Sequence, residues 1–215
     1  MRLLEKLYKV LIVWAVLATG FFVIAQDWVV VAHAGLFVGL FGFVVYRYRH
    51  KLGTLLGKVG GRTVPGFILL VCILTLIEEG SAYYFGGPES VVHPNFAINI
   101  LLVGTFWTIW LLTWKLFLAR RYSFTEREAL LTAGFSSLLY EASILYSSPN
   151  AFILFTGIMV LLYAALATLP MQLISFTGTR TSKSKYVISI VLPYLITWPV
   201  ALVLYAVLTS VGVPI

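Results

Sequence analysis

Apolar blocks of about twenty residues recur along this chain, and short polar segments separate them. A helix of about that length spans the hydrocarbon core of a bilayer, which is about 30 Å thick. Of the 215 residues, 60% are hydrophobic and 11% are charged, whereas soluble domains contain about 25% charged residues. The sequence therefore predicts an all-α, polytopic membrane protein and excludes an ordinary soluble domain.

Seven such blocks predict seven transmembrane helices in a single bundle, which forms one domain over residues 1–215. Turn-forming residues separate the blocks, as at Gln26-Asp27 and Gly86-Gly87-Pro88. No break is long enough to hold a large folded domain. The predicted spans are 8–26, 28–46, 64–86, 96–118, 128–147, 150–175 and 187–210. Thr125 and Glu128, three residues apart, predict a capping box at the start of the fifth span.

The positive residues predict the orientation of this bundle. With the amino terminus in the cytoplasm, all fifteen Lys and Arg residues fall on the cytoplasmic side, as the positive-inside rule requires. The carboxyl terminus then lies outside, and we expect a multi-pass protein of the cell membrane. The net charge of +7 thus reflects topology and contact with anionic lipid headgroups. It gives no reason to expect nucleic acid as a partner.

Three carboxylates, Glu78, Glu79 and Glu141, lie inside predicted spans. An ionisable side chain at the centre of a membrane helix costs at least about 2.5 kcal/mol, so its presence requires an explanation. The role is either functional or structural, with the acids hydrogen-bonded to neighbouring helices so that they hold the bundle together. At 1.5 Å of rise per residue, the three lie at similar depths in the outer half of the bilayer. They share one outward-opening site if their helices are neighbours. Since adjacent helical residues point about 100° apart, we expect Glu78 and Glu79 to face different partners.

Polar side chains near these glutamates are candidates for hydrogen-bonding support. They lie within about a turn of a glutamate, at the outer end of the fourth span, or in the loop just before that span. The supporting residues are Tyr83, Tyr140, Asn99, Ser137 and His93. We also expect His33, near the outer end of the second span, to form an interhelical hydrogen bond.

Three functions are compatible with this pattern. The favoured hypothesis is that the protein binds or transports a proton or cation, with or without coupling to a small solute. Carboxylates with no basic residue at their depth attract protons and metal ions. One alternative is a membrane enzyme that acts on a lipid or isoprenoid substrate by carboxyl acid catalysis. Another is an accessory subunit whose partner shields the acids, and the oligomeric state is left open.

A divalent metal is an open possibility, and no cofactor is firmly indicated. Glu78, Glu79, Glu141 and His93 would form an oxygen-rich set with one nitrogen, which suits Mn, Fe or Zn. However, no span carries the Glu-x-x-His spacing of di-iron bundles. The metal-ligating pattern is therefore of low specificity.

Overall fold

The computed structural model describes residues 2–145, 149–210 and 212. This part of the chain contains no β-strand and is built from long helices joined by short connections. The helices are α1 (Arg2–Ile24), α2 (Trp28–Lys58), α3 (Val64–Gly86), α4 (Phe96–Arg121), α5 (Glu126–Leu145), α6 (Pro149–Gln172) and α7 (Ser184–Ser210). The all-α prediction is confirmed for the described residues.

Two of these helices contain π-helical segments. The longer segment, Ala34–Phe41, lies in the middle of α2, and the shorter one, Trp114–Leu118, lies near the end of α4. In a π segment each backbone N–H bonds the carbonyl five residues earlier, and such segments are rare and often occur at functional sites. The segment in α2 begins directly after His33.

Six of the helices are long and apolar enough to cross a membrane, which indicates a multi-pass membrane protein. The fifth predicted span, α5, is not among the six, since Glu126, Arg127 and Glu128 occupy its first turn. It is instead enclosed by protein: residues 129–134 are buried, and the helix packs against α6 and α7. A helix covered by protein needs no continuous lipid-facing apolar surface, which accounts for its polar composition.

The centre of the bundle is α6, which packs against α1, α2, α3 and α5. Three tryptophans of α4 extend the core, since Trp107, Trp110 and Trp114 are all buried. The indole Nε1 of Trp110 donates to Ser136 Oγ at 2.9 Å, and that hydroxyl donates to the Ile190 carbonyl at 2.8 Å. This relay of hydrogen bonds joins α4, α5 and α7.

The second helix runs twelve residues beyond its predicted end at residue 46, and its last residue is Lys58. Arg47, Arg49 and Lys51, which were expected in a loop, therefore lie on the helix. The prediction placed the helix end at the limit of the apolar run, whereas the helix continues with polar side chains. Its extension is held by a pair between Arg49 and Glu126 and by His50 Nδ1, which lies 3.0 Å from Gln172 Oε1.

One end of the bundle carries all of the Lys and Arg residues, and we call it the basic end. It comprises residues 2–9, 47–62, 115–128 and 172–185. The predicted capping box is confirmed there: Glu128 N donates to Thr125 Oγ1 at 3.3 Å, and Thr125 N donates to Glu128 Oε2 at 2.7 Å. The buried Lys185 ammonium donates to the same carboxylate at 3.2 Å, and the Tyr186 hydroxyl also donates to it. The basic end is thus tied together by ion pairs between helices.

Candidate functional site

The second half of α3 carries two adjacent acids, Glu78 and Glu79, and each is only 8% exposed. The helix starts at Val64, where Thr63 Oγ1 accepts a hydrogen bond from Gly66 N at 3.2 Å. The α-helix continues from there without interruption, so Glu78 and Glu79 lie toward the end of the bundle opposite the basic end. Glu78 faces α2 and Glu79 faces α4, in agreement with the prediction that they have different partners.

Glu79 is held by Asn99 of α4. The Asn99 side-chain Nδ2 donates to Glu79 Oε2 at 2.6 Å, and Asn99 itself is completely buried. Its other amide atom, Oδ1, accepts from the backbone N–H of His93 at 3.2 Å. Asn99 therefore connects the carboxylate to the loop that precedes α4.

Side chains of that loop also form hydrogen bonds that cap the first turn of α4. Asn95 Oδ1 accepts from the backbone N–H groups of Ala97 and Ile98, at 3.1 and 3.3 Å. The His93 ring accepts from Asn95 N at 2.9 Å through Nδ1, and the His93 residue is buried. His93 thus reaches the carboxylates through its backbone and Asn99, while its ring orders the turn.

Glu78 faces His33, and this pair was not predicted from the sequence. His33 Nε2 lies 3.6 Å from Glu78 Oε1, which is the distance of an ion pair when the imidazole is protonated. His33 lies on α2 and Glu78 on α3, so this contact joins two helices, and the predicted interhelical hydrogen bond of His33 stays a prediction. Nothing in the sequence spacing identifies Glu78 as that neighbour, since the two residues are 45 positions apart.

A small void lies beside Glu78, on the side nearer the basic end. It is lined by apolar side chains of α3, α4 and α6 together with Thr75 and Trp107, and its volume is about 10 Å³. A space of about 10–15 Å³ is the minimum that holds one water molecule. The Thr75 hydroxyl donates its proton to the Val71 carbonyl at 3.0 Å. Toward the void, Thr75 can therefore act only as a hydrogen-bond acceptor through its oxygen.

The other predicted site residues take separate positions. The Tyr83 ring packs against Phe96 with 5.3 Å between ring centroids, and the Tyr140 ring packs against Phe106 at 4.1 Å. Ser137 Oγ donates to the Gly134 carbonyl of its own helix at 2.7 Å. The third acid, Glu141, lies outside the residues whose side chains the structure describes. The described geometry therefore consists of His33, Glu78, Glu79 and Asn99, which we call the carboxylate site.

Among the described side chains, no group of three or more His, Cys, Asp or Glu residues is arranged to hold a metal ion. Glu78, Glu79 and His93, which belong to the metal set suggested by the sequence, do not form such a group. Instead, Glu79 accepts from Asn99 and is hydrogen-bonded to Glu78, and the Glu78 carboxylate also faces His33.

The charge of the carboxylate site follows from its composition. Two carboxylates and a neutral imidazole carry a net charge of −2, and two bound protons bring that charge to zero. All fifteen Lys and Arg residues belong to segments of the basic end, so they supply no fixed positive charge at this depth. Since a buried net charge is strongly unfavourable, the charge of the two carboxylates requires compensation within the site.

No protein-family model, curated protein or solved structure matches this chain.

Proposed function

We propose that the protein binds protons at the carboxylate site and exchanges them with the aqueous phase, as a proton-binding or proton-transporting membrane protein. The supporting observation is the paired geometry of Glu78 with His33 and of Glu79 with Asn99. Two adjacent acids with an imidazole can share and pass protons over short distances. The Asn99 amide fixes one oxygen of Glu79 as an acceptor, so the second oxygen is the one that gains and loses the proton.

The small void supports a proton over a larger cation. At about 10 Å³ it accommodates no more than a single water molecule. A metal ion such as Mg²⁺ retains several waters when protein ligands bind it, and this space is too small for them. A water molecule beside Glu78 and Thr75 would extend the proton path from the carboxylate site toward the middle of the bundle.

The catalytic alternative requires an apolar pocket beside the acids that is long enough for a lipid or isoprenoid chain. Among the described residues, a cavity of that size lies between α1, α2 and α6, and neither Glu78 nor Glu79 lines it. We therefore favour proton binding over acid catalysis. The accessory-subunit alternative would require a stoichiometric partner in the purified protein.

Infrared spectroscopy tests the proposal directly, because a protonated carboxyl group has a carbonyl stretching band that an ionised one lacks. We expect the purified protein to show this band at neutral pH, with a shift on exchange into deuterium oxide. Substitution of Glu79→Gln or Glu78→Gln should remove part of it. In proteoliposomes that contain a pH-sensitive dye, the same variants should slow proton movement.

The matched control is Asp27→Asn. Asp27 lies at the same end of the molecule, and its Oδ1 accepts from Val30 N at 3.2 Å to cap α2. Asparagine preserves that cap and removes the titratable group, so this variant should keep both the band and the rate of proton movement. Absence of a protonated carboxyl band, or Glu79→Gln liposomes that move protons at the parent rate, would refute the proposal.

We also propose the orientation and the membrane. The fifteen Lys and Arg residues of the basic end support a cytoplasmic amino terminus in the cell membrane, and seven crossings then place the carboxyl terminus outside. A single cysteine placed near Asn95 should react with a membrane-impermeant maleimide on intact cells, and one placed near Arg62 should not. The reverse pattern would overturn this orientation.

A further inference from the structure

The helices α1 and α2 form a hairpin that opens toward the basic end. They are joined at the Gln26-Asp27 turn, and just before that turn the Phe22 ring of α1 packs against Phe155 of α6, with 4.7 Å between ring centroids. Beyond this point each helix packs mainly against α6 instead of against the other. The separation leaves a cavity of about 690 Å³ between α1, α2 and α6, which we call the hairpin groove.

The walls of the groove are mainly aliphatic, with Ile12 and Val16 on one side and Val38 on the other. The part of its α2 wall farther from the mouth belongs to the π segment, where Gly35 and Gly39 leave the space open. A Cβ atom added at either glycine would have no neighbouring heavy atom within 4 Å, apart from the adjacent chain. The groove therefore has the apolar character and the width that a hydrocarbon chain requires.

The length of the groove distinguishes between two kinds of occupant. On α1 the lining residues run from Leu4 to Thr19. From Lys9 at the mouth to Thr19 at the far end there are ten helical steps, which correspond to about 15 Å. This is half of the hydrocarbon thickness of about 30 Å, so the groove is as deep as one leaflet. A transmembrane helix of a partner would need a path across the whole bilayer. The packing around Phe22 closes that path.

The mouth of the groove is polar and carries positive charge. Lys9 and Arg127 lie there with the hydroxyl groups of Tyr8 and Tyr46. Arg127 Nη1 is paired with Glu5 Oε1 at 3.3 Å, whereas Lys9 takes part in no ion pair in the described part of the chain. A cation with neighbouring hydroxyl donors is suited to a phosphate group.

We infer that the hairpin groove binds one anionic phospholipid from the leaflet at the basic end. One acyl chain lies between α1 and α2 and extends from Lys9 to Thr19, and the phosphate lies against Lys9 with the tyrosine hydroxyls. The cavity volume falls within the range of about 300–1,000 Å³ that ligand pockets occupy. The occupant is distinct from the protons of the carboxylate site, which lies behind α2 at the other end of the bundle.

Native mass spectrometry of the purified full-length protein tests the charge recognition. Dioleoyl phosphatidylglycerol should be retained in preference to dioleoyl phosphatidylcholine, which has the same chains and no net charge. Substitution of Lys9→Gln should reduce this preference about fivefold, the effect of one basic residue near an anionic surface. Lys6→Gln, on an exposed part of α1 outside the groove, should leave it unchanged. Equal retention of the two lipids, or equal effects of both variants, would overturn the inference.

A second pair of variants tests the apolar part. Gly39→Leu should fill the groove and lower retention of phosphatidylglycerol about tenfold, because about two methylene groups of the lipid lose their burial. Gly20→Leu is the matched control, since Gly20 is exposed on α1, has open space around it and lies outside the groove. A control variant that loses as much lipid as Gly39→Leu would refute the location.

Photolabelling identifies where the lipid binds and requires no amino-acid substitution. Phosphatidylglycerol with a diazirine on its acyl chain should label residues that line the groove, such as Val16 and Val38, above the level at lipid-facing residues such as Val203. Uniform labelling of all exposed faces would mean that the lipid is only annular. Disulfide formation between Gly39→Cys chains in vesicles, with no labelling of the groove, would show a second copy as the occupant. Either result would contradict the inference.

Discussion

Buried or partly buried carboxylates occur at both ends of this bundle, and their partners differ. At the basic end, Glu128 receives the Lys185 ammonium at 3.2 Å and the Tyr186 hydroxyl, and Glu126 pairs with Arg49. At the carboxylate site, Glu78 faces the imidazole of His33, Glu79 accepts from the amide of Asn99, and the two acids are hydrogen-bonded to each other. The same residue type is therefore balanced by permanent cations at one end and by groups without permanent charge at the other.

Under the proposed function, this difference separates acids that hold helices together from acids that exchange protons. A lysine or arginine remains charged at physiological pH, so a carboxylate paired with it stays ionised and holds two helices together. An amide cannot supply charge, and an imidazole changes its charge near neutral pH. Under the proposed function, the carboxylate site therefore reaches neutrality by gaining protons, and it can lose them again. Substitution of an acid or its partner cation at the basic end should therefore lower stability. Substitution of an acid at the carboxylate site should instead reduce proton binding.

The largest effect on stability is expected for Lys185→Met. Lys185 is 6% exposed, and its removal leaves the Glu128 carboxylate without its cation. Breaking a buried ion pair by removal of one partner costs about 3–5 kcal/mol. The free energy of unfolding, measured with denaturant in detergent micelles, should fall by that amount. Lys183→Met, at an exposed position two residues earlier, should have no effect, and equal stability of the two variants would show that the Lys185 pair is not structural.

A smaller loss is expected for Asn99→Leu at the carboxylate site. Leucine has the same number and branching of side-chain heavy atoms, but it leaves the Glu79 carboxyl and the His93 backbone N–H without the hydrogen bonds that Asn99 makes. Unsatisfied buried polar groups cost about 1–3 kcal/mol, which the same unfolding measurement can detect. Asn95→Asp preserves the cap of α4 and serves as the control. If Asn99→Leu were as stable as the parent protein, the hydrogen bond to Glu79 would contribute nothing.

The smallest effect on stability is expected for Glu79→Gln, for which we predict a change of less than about 1 kcal/mol. Glutamine is neutral, as a protonated glutamate is, and its Oε1 can still accept from Asn99. In contrast, Glu128→Gln removes the negative partner of Lys185 and should destabilise the protein more. Comparison of the free energies of unfolding of these two variants therefore tests whether the acids at the two ends of the bundle have different roles. A large loss for Glu79→Gln would mean that Glu79 is ionised in the folded protein, contrary to the proposed proton binding.

Much of the helix pattern was predictable from the sequence, because it depends on local composition. The predicted span 64–86 matches α3 at both ends, and the capping box of Thr125 and Glu128 is formed as expected. The second span was predicted too short, because hydropathy reports the thickness of the bilayer and a helix can continue past it with polar side chains. Arg49 and its partner Glu126 stabilise that continuation.

The contacts of the site were predictable only in part. Burial of Glu78 and Glu79, and their division between two partners, follow from their place within an apolar helix. The pairing of His33 with Glu78 and of Lys185 with Glu128 depends on which helices are neighbours, and nothing in the local sequence contains that information. The π segment of α2 is likewise a property of the folded helix, and it sets where His33 lies.

The burial of α5 has a consequence for how the protein enters the membrane during synthesis. This helix has charged residues in its first turn, and α6 and α7, which cover it, follow it in the chain. A segment that the translocon does not readily release into lipid on its own needs partner helices at the moment of insertion. We expect α5 to remain at the translocon until α6 has been made, so that the two helices leave together as a hairpin.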